Sequence, residues 1–227
     1  MSFGIFKGNW LVNSIFWIVL LVIPLFSWLS SEGNILDYFI YTVPRGQFLY
    51  VSSKLLGLYG LTFLWLHMSY ALLRHSFFNV YLVRWSIKRH RNTAIFALVL
   101  IVLHLGLFVM AVSLRKELVS FDLLLPNFSH GYYKSLLSFG AIGFWLILLV
   151  ALTGRFLALA KKNEWTLRWL HRLSFVCFTL VYFHGLGVGS ETKSGILFSF
   201  YLFMGGSLLV FILLRTFKPM LPHFINN

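Results

Sequence analysis

Six stretches of this chain stay apolar for the length of a bilayer, and short polar or basic segments divide them. They run over about 10–30, 49–73, 92–113, 134–157, 169–187 and 196–216. A spanning helix needs roughly 20 such residues, whereas a barrel strand would alternate apolar and polar positions over about ten. The pattern therefore predicts an all-α integral membrane protein, a six-transmembrane-helix bundle forming one domain over 1–227. In the first connection, residues 31–48 (SEGNILDYFIYTVPRGQF), Pro44 and Gly46 break any helix, and the apolar positions predict a segment lying in the interface. Residues 74–91 alternate aromatics with arginines, the composition of a headgroup boundary. The connection 114–133 carries Pro126, and 158–168 is short and charged.

Lys7 followed by an apolar core invites a signal-peptide reading. The run from Trp10 to Leu29 is long for such a core, and no small-x-small cleavage site follows, so it is read as the first helix. Composition agrees with the pattern: 59% of the 227 residues are apolar and only six are acidic. A soluble domain of this length needs far more charged surface. The single cysteine, Cys177, excludes an internal disulfide, a CxxCH haem attachment and a Cys-based zinc site. It is read as a small packing residue.

The net charge of +13 raises the question of nucleic acid, and its distribution answers it. Of the 19 cations, six (Arg45, Lys54, Arg115, Lys116, Lys134 and Lys193) fall on one side of a six-span chain, with five of the six anions. The other 13 share the side of the termini with one anion, Glu164. The positive-inside rule then places both termini in the cytoplasm. The basic charge sets topology and meets the lipid bilayer, and no nucleic-acid partner is expected. Six spans without a targeting presequence fit a bacterial inner membrane.

Four of the eight histidines organise themselves. His90 and His104 are 14 residues apart on the third span, and His171 and His184 are 13 apart on the fifth. At about 1.5 Å per residue these separations are roughly 21 and 19.5 Å. Both spans run in the same direction, so His90 and His171 share the inner end, and His104 and His184 lie toward the outer leaflet. Two facing histidine pairs at two depths are what two six-coordinate haems require, because porphyrin iron has two axial positions for neutral imidazoles. Zinc prefers four close ligands, and neither depth supplies them. Fourteen residues return a helix to within some 40° of the same face, while thirteen leave it about 140° off. The fifth span is therefore expected to distort, by a π-bulge or local unwinding, or to offer its histidines at different angles.

The two spacings together resemble the ferric reductase-like transmembrane domain superfamily. Its members include NADPH oxidases, ferric reductases and the bacterial haem-binding subunit of the periplasmic methionine sulfoxide reductase system. The resemblance covers roughly residues 49–216 and rests on HRNTAIFALVLIVLH and on LHRLSFVCFTLVYFHG with its terminal His-Gly. It implies that His90 and His171 ligate an inner b-type haem and His104 and His184 an outer one, and it implies an oxidoreductase component moving electrons across the membrane. The implied outer acceptor is ferric iron, dioxygen or a periplasmic reductase partner. The oxidases and eukaryotic reductases continue into a flavin and NADPH domain. Here only about 11 residues follow the sixth span, and no Gly-rich dinucleotide fingerprint is present. Electrons are then expected from a separate cytoplasmic flavoprotein or a membrane quinol. The short bacterial subunits match this architecture, but some lack the inner histidine of the third span, so His90 points to a two-haem member.

Other residues carry two readings each. Gly106, Gly185 and Gly187 follow the outer histidines and leave room for a flat macrocycle, or serve helix packing. Gly140 with Gly143, and Gly205 with Gly206, are read as packing positions. Arg91, Arg168 and Arg172 flank the inner histidines and suit haem propionates, although topology alone also puts arginines there. His67, deep in the second span, stays outside the ligand set, as a third ligand, quinone contact, proton relay or packing residue. His75, His130 and His223 are read as solvated loop residues. The rival class is a non-redox transporter or assembly subunit passing metal along the histidines. Such transporters place carboxylates within their spans, and none of the six acidic residues lies deep in one.

Overall fold

The computed structural model describes residues 10–73, 87–129, 131–159, 165–189 and 192–217, and every regular element among them is helical. Helix α1 spans Trp10–Glu32, α2 Asp37–Ile40, α3 Gln47–Leu73, α4 Ile87–Lys116 and α5 Gly131–Leu159. Then come α6 (Trp165–Arg172), α7 (Ser174–Val188) and α8 (Gly195–Phe217). A 3-10 turn over Phe121–Leu124 lies between α4 and α5. Among the described residues, four stretches are long and apolar enough to cross a membrane: Gln47–Leu73, His90–Lys116, Gly131–Leu157 and Gly195–Thr216. The apolar stretch Trp17–Glu32 of α1 is shorter. The expected span 169–187 is divided between α6 and α7.

The division falls on Leu173. Its N–H donates to Leu170 O at 3.1 Å, an i→i−3 bond, and Cys177 N–H then donates to Leu173 O at 2.8 Å to resume the α-helical pattern. One tight turn thus separates His171 from the helix that carries His184.

Helix α3 is the hub, packed by α1, α4, α7 and α8, while α5 packs on α4, α6 and α7. Its run from Gly60 to Ser69 is buried without interruption, so polar side chains such as Thr62, His67 and Ser69 sit inside the bundle. The outer helices turn apolar faces outward instead: Ile95, Phe96, Val99 and Val102 of α4, and Leu202, Phe203, Leu209 and Leu213 of α8, are all exposed. Such faces suit hydrocarbon, where water-driven burial is lost and helices hold together by close packing and interhelical hydrogen bonds. Trp28 Nε1–H donates to Val51 O at 2.8 Å, Trp65 Nε1–H to Ser207 Oγ at 3.1 Å, and Tyr182 O–H to Tyr201 O at 3.0 Å.

At one end of the bundle, charges tie the helix termini together. Lys54 pairs with Glu32, whose side chain is 8% exposed, and Tyr38 O–H donates to the second carboxylate oxygen at 3.2 Å. Burial and the Glu32 carboxylate push the Tyr38 phenol pKa up, so it stays a donor. Arg115 bonds Gln47, and Arg45 meets Glu117 at 2.7 Å in the open. Between them Gly46 adopts φ +74°, and a Cβ there would stand 2.7 Å from Ala111 O. Removing one partner of a buried pair leaves the other charge in a poor solvent. Lys54→Met is expected to cost about 2–3 kcal/mol, less than a fully buried pair because the lysine side chain keeps 16% of its surface exposed. Thermal unfolding in detergent checks this: Tm should fall for Lys54→Met and recover largely in the double variant with Glu32→Gln. An unchanged Tm for the single variant contradicts it.

Within 31–48 the structure forms the short α2, where Phe39 and Ile40 and the flanking Leu36 and Tyr41 are exposed. The loop before α5 is similarly apolar and is pinned down, with Trp145 Nε1–H donating to Leu124 O at 3.0 Å and Asn127 N–H to Ser138 Oγ at 2.6 Å.

Candidate functional site

Each histidine of the two expected pairs is anchored by a neighbouring helix. His104 of α4 places Nδ1 2.7 Å from Ser53 O on α3. His184 of α7 and His171 of α6 place theirs 2.8 Å from Leu136 O and 3.3 Å from Val150 O, both on α5. A carbonyl only accepts, so in all three imidazoles Nδ1 carries the proton and Nε2 the lone pair. That is the tautomer of a metal-ligating histidine whose other nitrogen is fixed by the surrounding protein.

A helix carbonyl already points at the N–H four residues on, so a second donor must approach across that residue. In all three cases it is glycine: Gly57 after Ser53, Gly140 after Leu136 and Gly154 after Val150. A Cβ on Gly57 would stand 2.9 Å from His104 Nδ1, and one on Gly140 2.8 Å from His184 Nδ1 and Cε1. At Gly154 the nearest His171 atom is 3.4 Å away, an ordinary contact. The anchors recur at a fixed interval: Leu136 and Val150 are 14 residues apart, as are Gly140 and Gly154, and as are Ser53 and His67.

His90 is held differently. Fourteen residues past Gly57 stands Ala71, and the partner of His90 is a side chain: His67 Nδ1 lies 3.0 Å from His90 Nδ1. His67 is 5% exposed, and its Nε2 lies 3.2 Å from Thr93 Oγ1.

The structure brings both pairs together. The rings of His90 and His171 stand 6.4 Å apart, centre to centre, with planes at 71°. With metal–imidazole bonds of about 2 Å, both rings could reach one metal ion held between them at this separation. His104 and His184 line a common cavity of ≈ 150 Å³ between α3, α4, α5 and α7. One water needs about 10–15 Å³ of such space. Its other walls are mostly apolar, including Leu61, Ile101, Ile147 and Val181, and Leu123 of the 3-10 turn and Lys54 also contribute. Among the described residues, no three His, Cys, Asp or Glu side chains gather to hold a bare ion. Two imidazoles per level are the number that a porphyrin iron takes, so the donor set fits haem.

The remaining expected residues are distributed as follows. Gly185 lines the cavity, and a Cβ there would meet the Tyr201 hydroxyl at 2.6 Å. Gly187 packs on Leu136, while nothing stands within 4 Å of a Cβ on Gly106. Arg91 is exposed, and Arg172 lies over the Trp169 ring at 4.7 Å. Cys177 is buried with its Sγ 3.3 Å from Gly143 O, in keeping with packing. His75, His130 and His223 lie outside the described residues.

The class this defines is an all-helical protein with helices fit to cross a membrane and two facing histidine pairs between them. Comparison with known proteins finds no matching family model, no matching curated protein and no matching solved structure.

Proposed function

We propose that the chain is a six-span haem b protein, a stand-alone member of the ferric reductase-like transmembrane superfamily, that carries electrons across a membrane. In this reading α1 and the α6–α7 pair complete the six spans, both termini are cytoplasmic, and His104 and His184 form the outer site. His90 and His171 form the inner site. The observation that carries the reading is the tautomer set by the anchors: His104, His171 and His184 each commit Nδ1–H to a helix carbonyl and so offer Nε2 to a metal. Structural histidines have no need of a common tautomer or of a glycine beneath each ring. Bound haem supplies a one-electron ferric/ferrous couple at each level. The chain's part is to hold the axial imidazoles, exclude water with the apolar walls and set the separation of the levels, about 21 Å for 14 helical residues.

The donor in this reading is a separate cytoplasmic flavoprotein or a membrane quinol. The acceptor is ferric iron, dioxygen or a reductase partner on the outer side, and a bacterial inner membrane is the setting. Proteoliposomes loaded with an impermeant reductant and bathed in ferricyanide test transmembrane transfer. External ferricyanide should be reduced at least tenfold faster than with protein-free vesicles. Equal rates would overturn the proposal.

A further inference from the structure

We infer that His67 is a positioning residue for His90, a side-chain acceptor that fixes the inner ligand's tautomer and holds the inner couple at a lower potential than a helix carbonyl would. The inference rests on the haem reading above and goes beyond it.

The chain of hydrogen bonds begins at Thr93. Its Oγ1–H donates to His90 O at 3.1 Å, which commits the hydroxyl's single proton. Toward His67, then, Thr93 Oγ1 is the acceptor, and His67 Nε2, 3.2 Å away, carries the proton. A neutral imidazole has only one, so His67 Nδ1 presents a lone pair. The nitrogen facing it at 3.0 Å, His90 Nδ1, must therefore be the donor. His90 consequently keeps its lone pair on Nε2, the same tautomer that the carbonyls impose on His104, His171 and His184. The ring centres of His67 and His90 lie 4.6 Å apart at 73°, an edge-on meeting compatible with a bond between the two nitrogens.

An imidazole nitrogen is a stronger base than an amide carbonyl. It pulls harder on the Nδ1 proton, gives His90 more imidazolate character and enriches the ligand's electron density. That favours the ferric state of the inner iron, since hydrogen bonding to axial ligands is one of the protein's levers on haem potential. A lower inner potential makes transfer toward the outer level downhill.

The test is a potentiometric titration of the purified protein with haem bound, the inner centre being assigned in a His104→Ala background. His67→Phe should raise the inner midpoint potential by about a tenfold shift in the ferrous:ferric ratio, about 59 mV for one electron. The outer centre should stay put and so report an intact fold. His67→Gln should keep the tautomer, because its carbonyl oxygen accepts from His90 Nδ1 while its amide donates to Thr93, but as an amide carbonyl it should leave the potential above wild type by a smaller step than His67→Phe. An inner potential unmoved in His67→Phe, or shifted as far in His67→Gln, overturns the inference. If His67→Phe loses the inner haem, the Gln variant decides: a potential above wild type supports the inference, and an unmoved one overturns it. Wild-type protein without haem would instead sink the haem reading. Nitrogen-15 NMR of histidine-labelled, haem-free protein tests the hydrogen-bond chain separately: His90 should be the Nδ1–H tautomer in wild type and lose that preference in His67→Phe. An Nε2–H His90 in wild type overturns it.

Discussion

Replacing His184 by alanine is expected to cut the haem content from two per chain to one. The imidazole is half of the outer donor set, and alanine leaves His104 as the single ligand there. His184 is held with Nδ1 2.8 Å from Leu136 O, and alanine removes that anchor together with Nε2. The inner pair lies about 21 Å away along the helices and should keep its haem. His104→Ala should give the same result from the opposite helix. Haemochrome quantitation of the purified variants reads this directly. Two haems retained in both variants would remove His104 and His184 from the site.

Gly140→Ala is expected to damage the outer site nearly as much without touching a ligand. The new methyl group would stand 2.8 Å from His184, whose ring is fixed at one edge by Leu136 O on the same helix as the intruder. The ring must leave its carbonyl or α5 and α7 must part, and overpacking of this kind costs about 1–3 kcal/mol. At 1.4 kcal/mol per tenfold, outer haem affinity should fall by about 5- to 150-fold. Gly57→Ala, at 2.9 Å from His104, should behave alike. Gly154→Ala, at 3.4 Å from His171, should leave the inner haem within about threefold of wild-type affinity, since ordinary van der Waals contact carries little strain. Transfer of haem to an excess of a haem-scavenging apoprotein compares the three. Equal losses in all of them would mean that the glycines serve general packing.

Much of the helical framework was legible in the sequence because it follows from apolar length: the expected 49–73, 92–113, 134–157 and 196–216 lie within α3, α4, α5 and α8. The distortion expected between His171 and His184 exists, as a break at Leu173. No proline or glycine marks that position, so its place could not be read. The anchoring of the histidines was hidden for a different reason. Ser53, Leu136 and Val150 act through backbone carbonyls, which have no signature in the sequence. From sequence alone Gly140 is a packing position, since small residues between helices usually are. Its recurrence at Gly154, 14 residues on, repeats the interval of His90 and His104 and was the available signal. His67 stayed ambiguous because its role depends on Thr93 and His90 across a helix interface, which no local pattern records.

The most direct test is a reduced-minus-oxidised optical spectrum of the detergent-purified protein, with the haem quantified per chain. A b-type spectrum with two low-spin haems is the result expected from the paired imidazoles. A colourless protein, with neither level holding haem after expression with adequate haem supply, would contradict the claim that these four histidines are axial ligands.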